Sequence, residues 1–147
     1  MIDVNDFKWM PICEVCTMER AKPEKEYAGG STLVQLSATR GNVEFLEKSG
    51  TVACHYAVLS PRNGFRGRYV YHSIEKAFPE FIYKYQTGIN LQFDTLKDLV
   101  IPVHRSVETQ KYVEDVMVTI DGLVQKEQAA CDGYNMVKQF YLRTMFV

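Results

Sequence analysis

No stretch of this 147-residue chain is apolar over the roughly 20 residues that a membrane-spanning helix needs. Its opening, Met1-Ile2-Asp3-Val4-Asn5-Asp6, is acidic and lacks the basic-then-apolar order of a signal peptide. Cysteine is scarce: four residues, at positions 13, 16, 54 and 131, are too few and too irregular for a disulfide framework. These absences together point to a reduced, cytoplasmic protein that does not span a membrane. A strong charge of one sign is also missing. With 17 Lys/Arg against 18 Asp/Glu the net charge is −1, which excludes a nonspecific polyanion binder acting over its whole surface.

The charge is nevertheless uneven. Residues 1–60 carry six basic against eight acidic side chains, residues 106–147 carry four against six, and residues 61–105 carry seven against four. The middle segment alone is net basic, so any anion-binding face is expected there and is local.

Along the chain, Trp9–Val15 is a short amphipathic segment in which Pro11 argues against a helix interior. Ala21–Gly30 reads as a polar loop, Ser31–Ser37 as a strand, Arg40-Gly41-Asn42 as a turn, and Thr51–Leu59 as a second strand. Pro61-Arg62-Asn63-Gly64 signals a hairpin, with Gly67–Ser73 returning as its partner strand. Ile74–Gln86 has helical spacing, with Pro79 acceptable near a first turn. Thr95–Asp98 suggests one helical turn, and Leu99–Val103 a buried strand. The expectation is a small mixed α/β domain with a mixed sheet over residues 1–103, followed by a long helix over 104–147.

That helix is the strongest signal. Val113, Val116, Ile120, Leu123, Val124, Tyr134, Val137 and Tyr141 recur mostly at three- and four-residue steps, which places them on one helix face. From Ser106 to Met145 the helix would be about 60 Å long at roughly 1.5 Å per residue, against a domain core about 30 Å across. Residues near Val113–Ile120 are expected to pack on the domain itself, while Tyr134–Tyr141 call for a partner helix. Gly122, Gly133 and Glu127 interrupt the pattern, but no proline does.

The chemically richest stretch is Arg62-Asn63-Gly64-Phe65-Arg66-Gly67-Arg68, three guanidinium groups in seven residues with Phe65 and Tyr69 interleaved. Guanidinium forks match phosphate oxygens and the O6/N7 edge of guanine, and a two-stranded ribbon fits the major groove. The alternative is a solvated turn whose arginines only confer solubility. Lys22, Lys25 and Arg40, on other predicted loops, would extend the same face.

Cys13-x-x-Cys16 with Cys54-His55 has zinc-ligand residue types, but no second clean pair and no ribbon glycines, so buried or half-buried thiols are the better reading. His55, His72 and His104 sit in or beside predicted strands without a nucleophile elbow or phosphate loop nearby. No segment of the Asp-Pro-Pro-Tyr kind used in adenine methylation occurs. Neither a catalytic residue, a metal nor a cofactor is expected.

The order of segments resembles half of a specificity subunit of a type I restriction-modification system. In that family a target-recognition domain ends in a strand with the pattern Ile-Pro-Leu-Pro-Pro-Leu-x-Glu-Gln, and a long helix follows. The corresponding residues here are Ile101-Pro102-Val103, then Val107-Glu108-Thr109-Gln110, then Val113–Val124, and finally Lys138–Phe146. Trp9 with its short apolar segment, Tyr56–Pro61 and Gly88–Phe93 resemble further family segments. His104-Arg105-Ser106 stands in for the proline pair with one extra residue, and Thr109 for the glutamate. The resemblance implies non-catalytic recognition of double-stranded DNA through one domain. It also implies a homodimer or companion pairing through the helix, and docking of methyltransferase and restriction subunits at a bipartite site. The rival expectation is an interaction module of the same fold that does not read DNA.

Overall fold

The computed structural model describes residues 2–36, 41–85, 88 and 90–145. Arg40, Ile89 and Phe146 lie outside them, as do the predicted ends of the 31–37 strand and the 74–86 helix. The chain opens with strand β1 (Phe7–Pro11), a single helical turn α1 (Ile12–Val15) and β2 (Cys16–Arg20). Then come β3 (Glu26–Tyr27), β4 (Ser31–Gln35), β5 (Val43–Leu46), β6 (Gly50–Thr51) and β7 (Tyr56–Pro61). Helix α2 (Gly67–Tyr85), a 3₁₀ segment (Phe93–Asp98), β8 (Val100–His104) and helix α3 (Val107–Met145) complete it.

The central sheet has the order β2-β7-β4-β5. Its middle strands are covered on both faces, and their side chains sort by alternation. Val34, Ala57 and Leu59 face α2, where Tyr69, Val70, Ile74, Phe78 and Phe81 meet them at three- and four-residue steps. Leu33 and Val58 face the other way, onto Tyr27 and Val52 beside the small β3–β6 ribbon. A separate ribbon pairs β1 with β8, setting Trp9 opposite Pro102 and Met10 opposite Ile101. Ile101 and Val103 point into the main core, while Phe7 and Trp9 stay exposed on the ribbon's outer face.

The α/β organisation expected from the sequence is present, with several corrections. Every ladder among the described residues is antiparallel, so the sheet is not mixed. Gly67–Ser73 is not a returning strand but the first two turns of α2, and Pro61–Gly64 leads into that helix instead of closing a hairpin. Pro79 lies deep in α2, not in its first turn. The predicted strand over 51–59 is two short strands separated by a turn that holds Cys54 and His55.

α3 is one helix of 39 residues that runs through Gly122 and Gly133 without interruption. Ser106 caps it, its Oγ accepting from the Thr109 N–H at 3.3 Å. The chain divides into two compact units, Met1–Glu114 and Asp115–Val147, so the first two turns of α3 belong to the globular unit. No helix among the described residues is long and apolar enough to cross a membrane.

Candidate nucleic-acid interface

The arginine-rich segment forms the link between β7 and α2. Phe65 N–H donates to the Arg62 carbonyl at 3.1 Å, closing a tight turn whose third residue, Gly64, has φ +93°. That conformation favours glycine, which is what the Asn63-Gly64 pair provides. Arg66 then supplies the carbonyl that accepts from Val70 N–H at 2.9 Å and starts α2. Gly67 follows because the helix start lies against Gly30: a Cβ there would run into the Gly30 carbonyl.

The three arginines end in different surroundings. Arg62 and Asn63 are exposed at the turn's tip. Arg62 is tied down at its base, its N–H donating to Val15 O at 2.8 Å and its Nε to Cys13 O at 3.1 Å. Arg66 grips Glu114 with two bonds of 2.9 Å, from Nε and Nη2 to the two carboxylate oxygens. Arg68, on the first turn of α2, reaches Glu47 at 3.2 Å and lies over the Phe45 ring at 4.9 Å. The segment's charge is therefore partly matched within the domain.

Lys22 and Lys25 do not join this cluster. Cys16 pairs with Pro61 and Arg20 with Ala57, so Arg62 leaves one end of the β2–β7 ladder and Lys22 the other. Four residue steps along the strand, about 13 Å at roughly 3.3 Å per step, separate the two ends. Lys25 Nζ bonds Glu19 at 2.6 Å, and Lys22 approaches the same carboxylate at 3.5 Å. The Lys25 hydrogen bond holds the Glu19 carboxyl below the usual range, and the Lys25 ammonium is raised by the same bond.

Gln110 and Glu114, which sequence reasoning did not single out, are the groups that organise the turn. Gln110 is fully buried, accepting from Arg66 N–H at 3.2 Å and donating to His104 O at 2.9 Å and Gly64 O at 3.4 Å. The sequence showed only their i, i+4 spacing on the predicted helix; their place beside the arginines comes from the fold.

Among the residues proposed for helix pairing, Val113 packs against the domain core. Within the second unit, Ile120, Leu123, Val124, Tyr134, Val137 and Tyr141 are exposed, Tyr134 at 78%. Val116, at 38%, is exposed as well. The cysteines divide too: Cys13, Cys54 and Cys131 are exposed, Cys16 is buried, and burial pushes the Cys16 thiol up to about 12. Among the described residues no group of three or more His, Cys, Asp or Glu is placed to hold a metal.

A four-stranded antiparallel sheet backed by α2, with the β1–β8 ribbon followed by the long helix α3, is a fold shared with known proteins. A chain from a type I R-M system, solved to explain complex assembly and conformational transition, superimposes with TM-score 0.69 at 16% identity over 84% of this chain and 40% of its own length. The S subunit of a type I restriction-modification system from M. genitalium gives TM-score 0.68 at 14% identity, covering 88% and 43%. The HsdS subunit from Thermoanaerobacter tengcongensis gives 0.65 at 14%, covering 88% and 41%. The chain thus spans about two fifths of the length of the solved chains it matches. No protein-family model and no curated protein matches the sequence.

Proposed function

We propose that this chain is a non-catalytic, cytoplasmic DNA-recognition module, equivalent to one half of a type I specificity subunit. Its globular unit reads a few base pairs of double-stranded DNA, with the Arg62–Asn63 tip as its leading edge. α3 pairs with a second copy or a companion helix, and the assembly directs methyltransferase and restriction subunits to a two-part site. The observation that carries this reading is the fold likeness, which extends over 84–88% of the chain. Pairing of two identical chains would make the two half-sites symmetric.

One observation favours a second reading, a subunit that assembles without reading DNA: Arg66 and Arg68 already hold Glu114 and Glu47. Selection from a randomised duplex library, using the chain with and without a type I methyltransferase subunit, separates the two. The recognition reading expects enrichment of two short motifs at a constant spacing. Assembly with the subunit but no enrichment would establish the second reading instead.

A further inference from the structure

The turn that presents Arg62 and Asn63 is held by the long helix. Gln110 and Glu114 are one turn apart on α3, so both side chains leave the same face. The Gln110 carboxamide is spent on three backbone groups: the N–H of Arg66 and the carbonyls of Gly64 and His104. Glu114, whose side chain is only 14% exposed, takes the Arg66 guanidinium in a two-pronged grip. On the other side Val15 and Cys13 hold Arg62 through their carbonyls. A paired fork fixes both the position and the plane of the arginine. Because the pair is neutral, Arg66 also has little net charge to offer a phosphate.

We infer that Arg66 is a positioning residue and not a DNA contact: Gln110 and Glu114 act through it to set the geometry of the Arg62–Asn63 tip. This inference rests on the DNA-reading function proposed above. It makes the root of α3 part of the recognition apparatus, since the element that carries the partner-pairing face also shapes the reading turn. Less of the tip's freedom is then lost when it meets DNA.

A charge swap in the full-length chain tests this. Arg66→Glu, Glu114→Arg and the double variant carrying both would be titrated against a labelled double-stranded oligonucleotide. In parallel, hydrogen exchange would be followed at the Phe65 and Arg66 amides. Each single variant is expected to weaken binding about tenfold or more and to speed exchange at both amides, because each leaves a charge without its partner. The double variant is expected to recover the wild-type affinity to within about threefold, along with amide protection, because the pair is re-formed in reverse. Glu114→Gln, which keeps the side chain's shape, serves where a reversed charge prevents folding. It is expected to loosen the same two amides.

A double variant that regains amide protection but binds DNA as poorly as Arg66→Glu would overturn the inference, because Arg66 would then touch DNA itself. Unchanged exchange in Glu114→Gln and in both single variants would overturn it too. A wild type that binds no duplex in any assembly state would refute the recognition function, and the exchange data alone would still decide whether α3 holds the turn.

Discussion

His104 stands where the resembled pattern has proline, and its contacts give the substitution a structural role. Its backbone N–H donates to the Tyr69 hydroxyl at 2.8 Å, and that hydroxyl lies 2.7 Å from Nδ1. Nε2 lies 2.9 Å from the Val4 carbonyl, so the proton belongs on Nε2 and Nδ1 accepts from Tyr69. A proline could make none of these bonds. Cys16 shows the opposite limit on what a sequence reveals. Cys13 and Cys16 look alike as a spaced pair, but one is exposed and the other is buried in the main core. That difference follows from where α1 ends and β2 begins, which no local pattern marks. The consequence is measurable. Burial raises the folded-state Cys16 thiol from 9.0 to about 12, so well below pH 9 the thiol is protonated in both states and stability there is independent of it. Above pH 9 the unfolded chain ionises first and stability falls, by up to about 1.4 kcal/mol per pH unit until the folded thiol also ionises. Urea unfolding between pH 8 and 11 should show this fall, and Cys16→Ala should flatten it relative to wild type. Identical slopes in the two proteins would mean that the thiol is not shielded.

Among the elements, those set by side-chain spacing over several turns were legible in the sequence, and those set by a neighbour were not. α3 follows from its stripe, β4 from its β-branched run, and the second half of α2 from Ile74, Ala77, Phe78 and Phe81. Gly67–Ser73 reads locally as a strand because Tyr and Val favour extended backbone. Burial decided otherwise: Tyr69, Val70 and Ser73 continue the same helical stripe, so a helix covers the sheet without a break. β2 and β5 were missed because neither shows clear alternation, having half-buried patterns set by edge positions in the sheet. For α3 the testable consequence is association. Its exposed apolar side chains include Ile120 at 46% and Val137 at 53%, so covering the remainder of each is worth about half of the roughly 1.5–3 kcal/mol that complete burial of such a side chain brings. In sedimentation experiments the wild type is expected to self-associate, or to form a stable complex with a companion subunit. The Ile120→Glu, Val137→Glu double variant should stay monomeric with its globular unit folded. A wild type that remains monomeric at high micromolar concentration, with no companion that binds it, would leave the helix face unexplained.

For the whole molecule, the sequence located the basic region in residues 61–105 but not which of its charges are available. Availability depends on partners that only folding brings together: Glu47 from the segment after β5 for Arg68, and Glu114 from α3 for Arg66. The sequence also grouped Lys22 and Lys25 with this face, whereas the β2–β7 register sends them to the other end of the ladder. What remains at the tip is Arg62, exposed and tethered at its base, beside Asn63. The expected electrostatic signature is therefore shallow. Each phosphate contact contributes about −0.9 to the slope of log affinity against log salt, so replacing Arg62 alone should flatten that slope by about one if it meets phosphate. If Arg62 instead reads a guanine edge, its loss should cost about 1–3 kcal/mol and relax preference at a single base pair while leaving the slope nearly unchanged. Arg68→Ala should change the slope much less, because Glu47 already balances that charge. The measurement is a salt titration of the assembled complex on a duplex carrying the selected site, repeated for Arg62→Ala and Arg68→Ala. Equal effects of the two substitutions would show that the Arg68–Glu47 pair opens on binding and that the reading surface extends onto the first turn of α2. If neither substitution has an effect, the recognition surface must lie away from the β7–α2 turn, and the Lys22–Lys25 end of the ladder would be the next place to look.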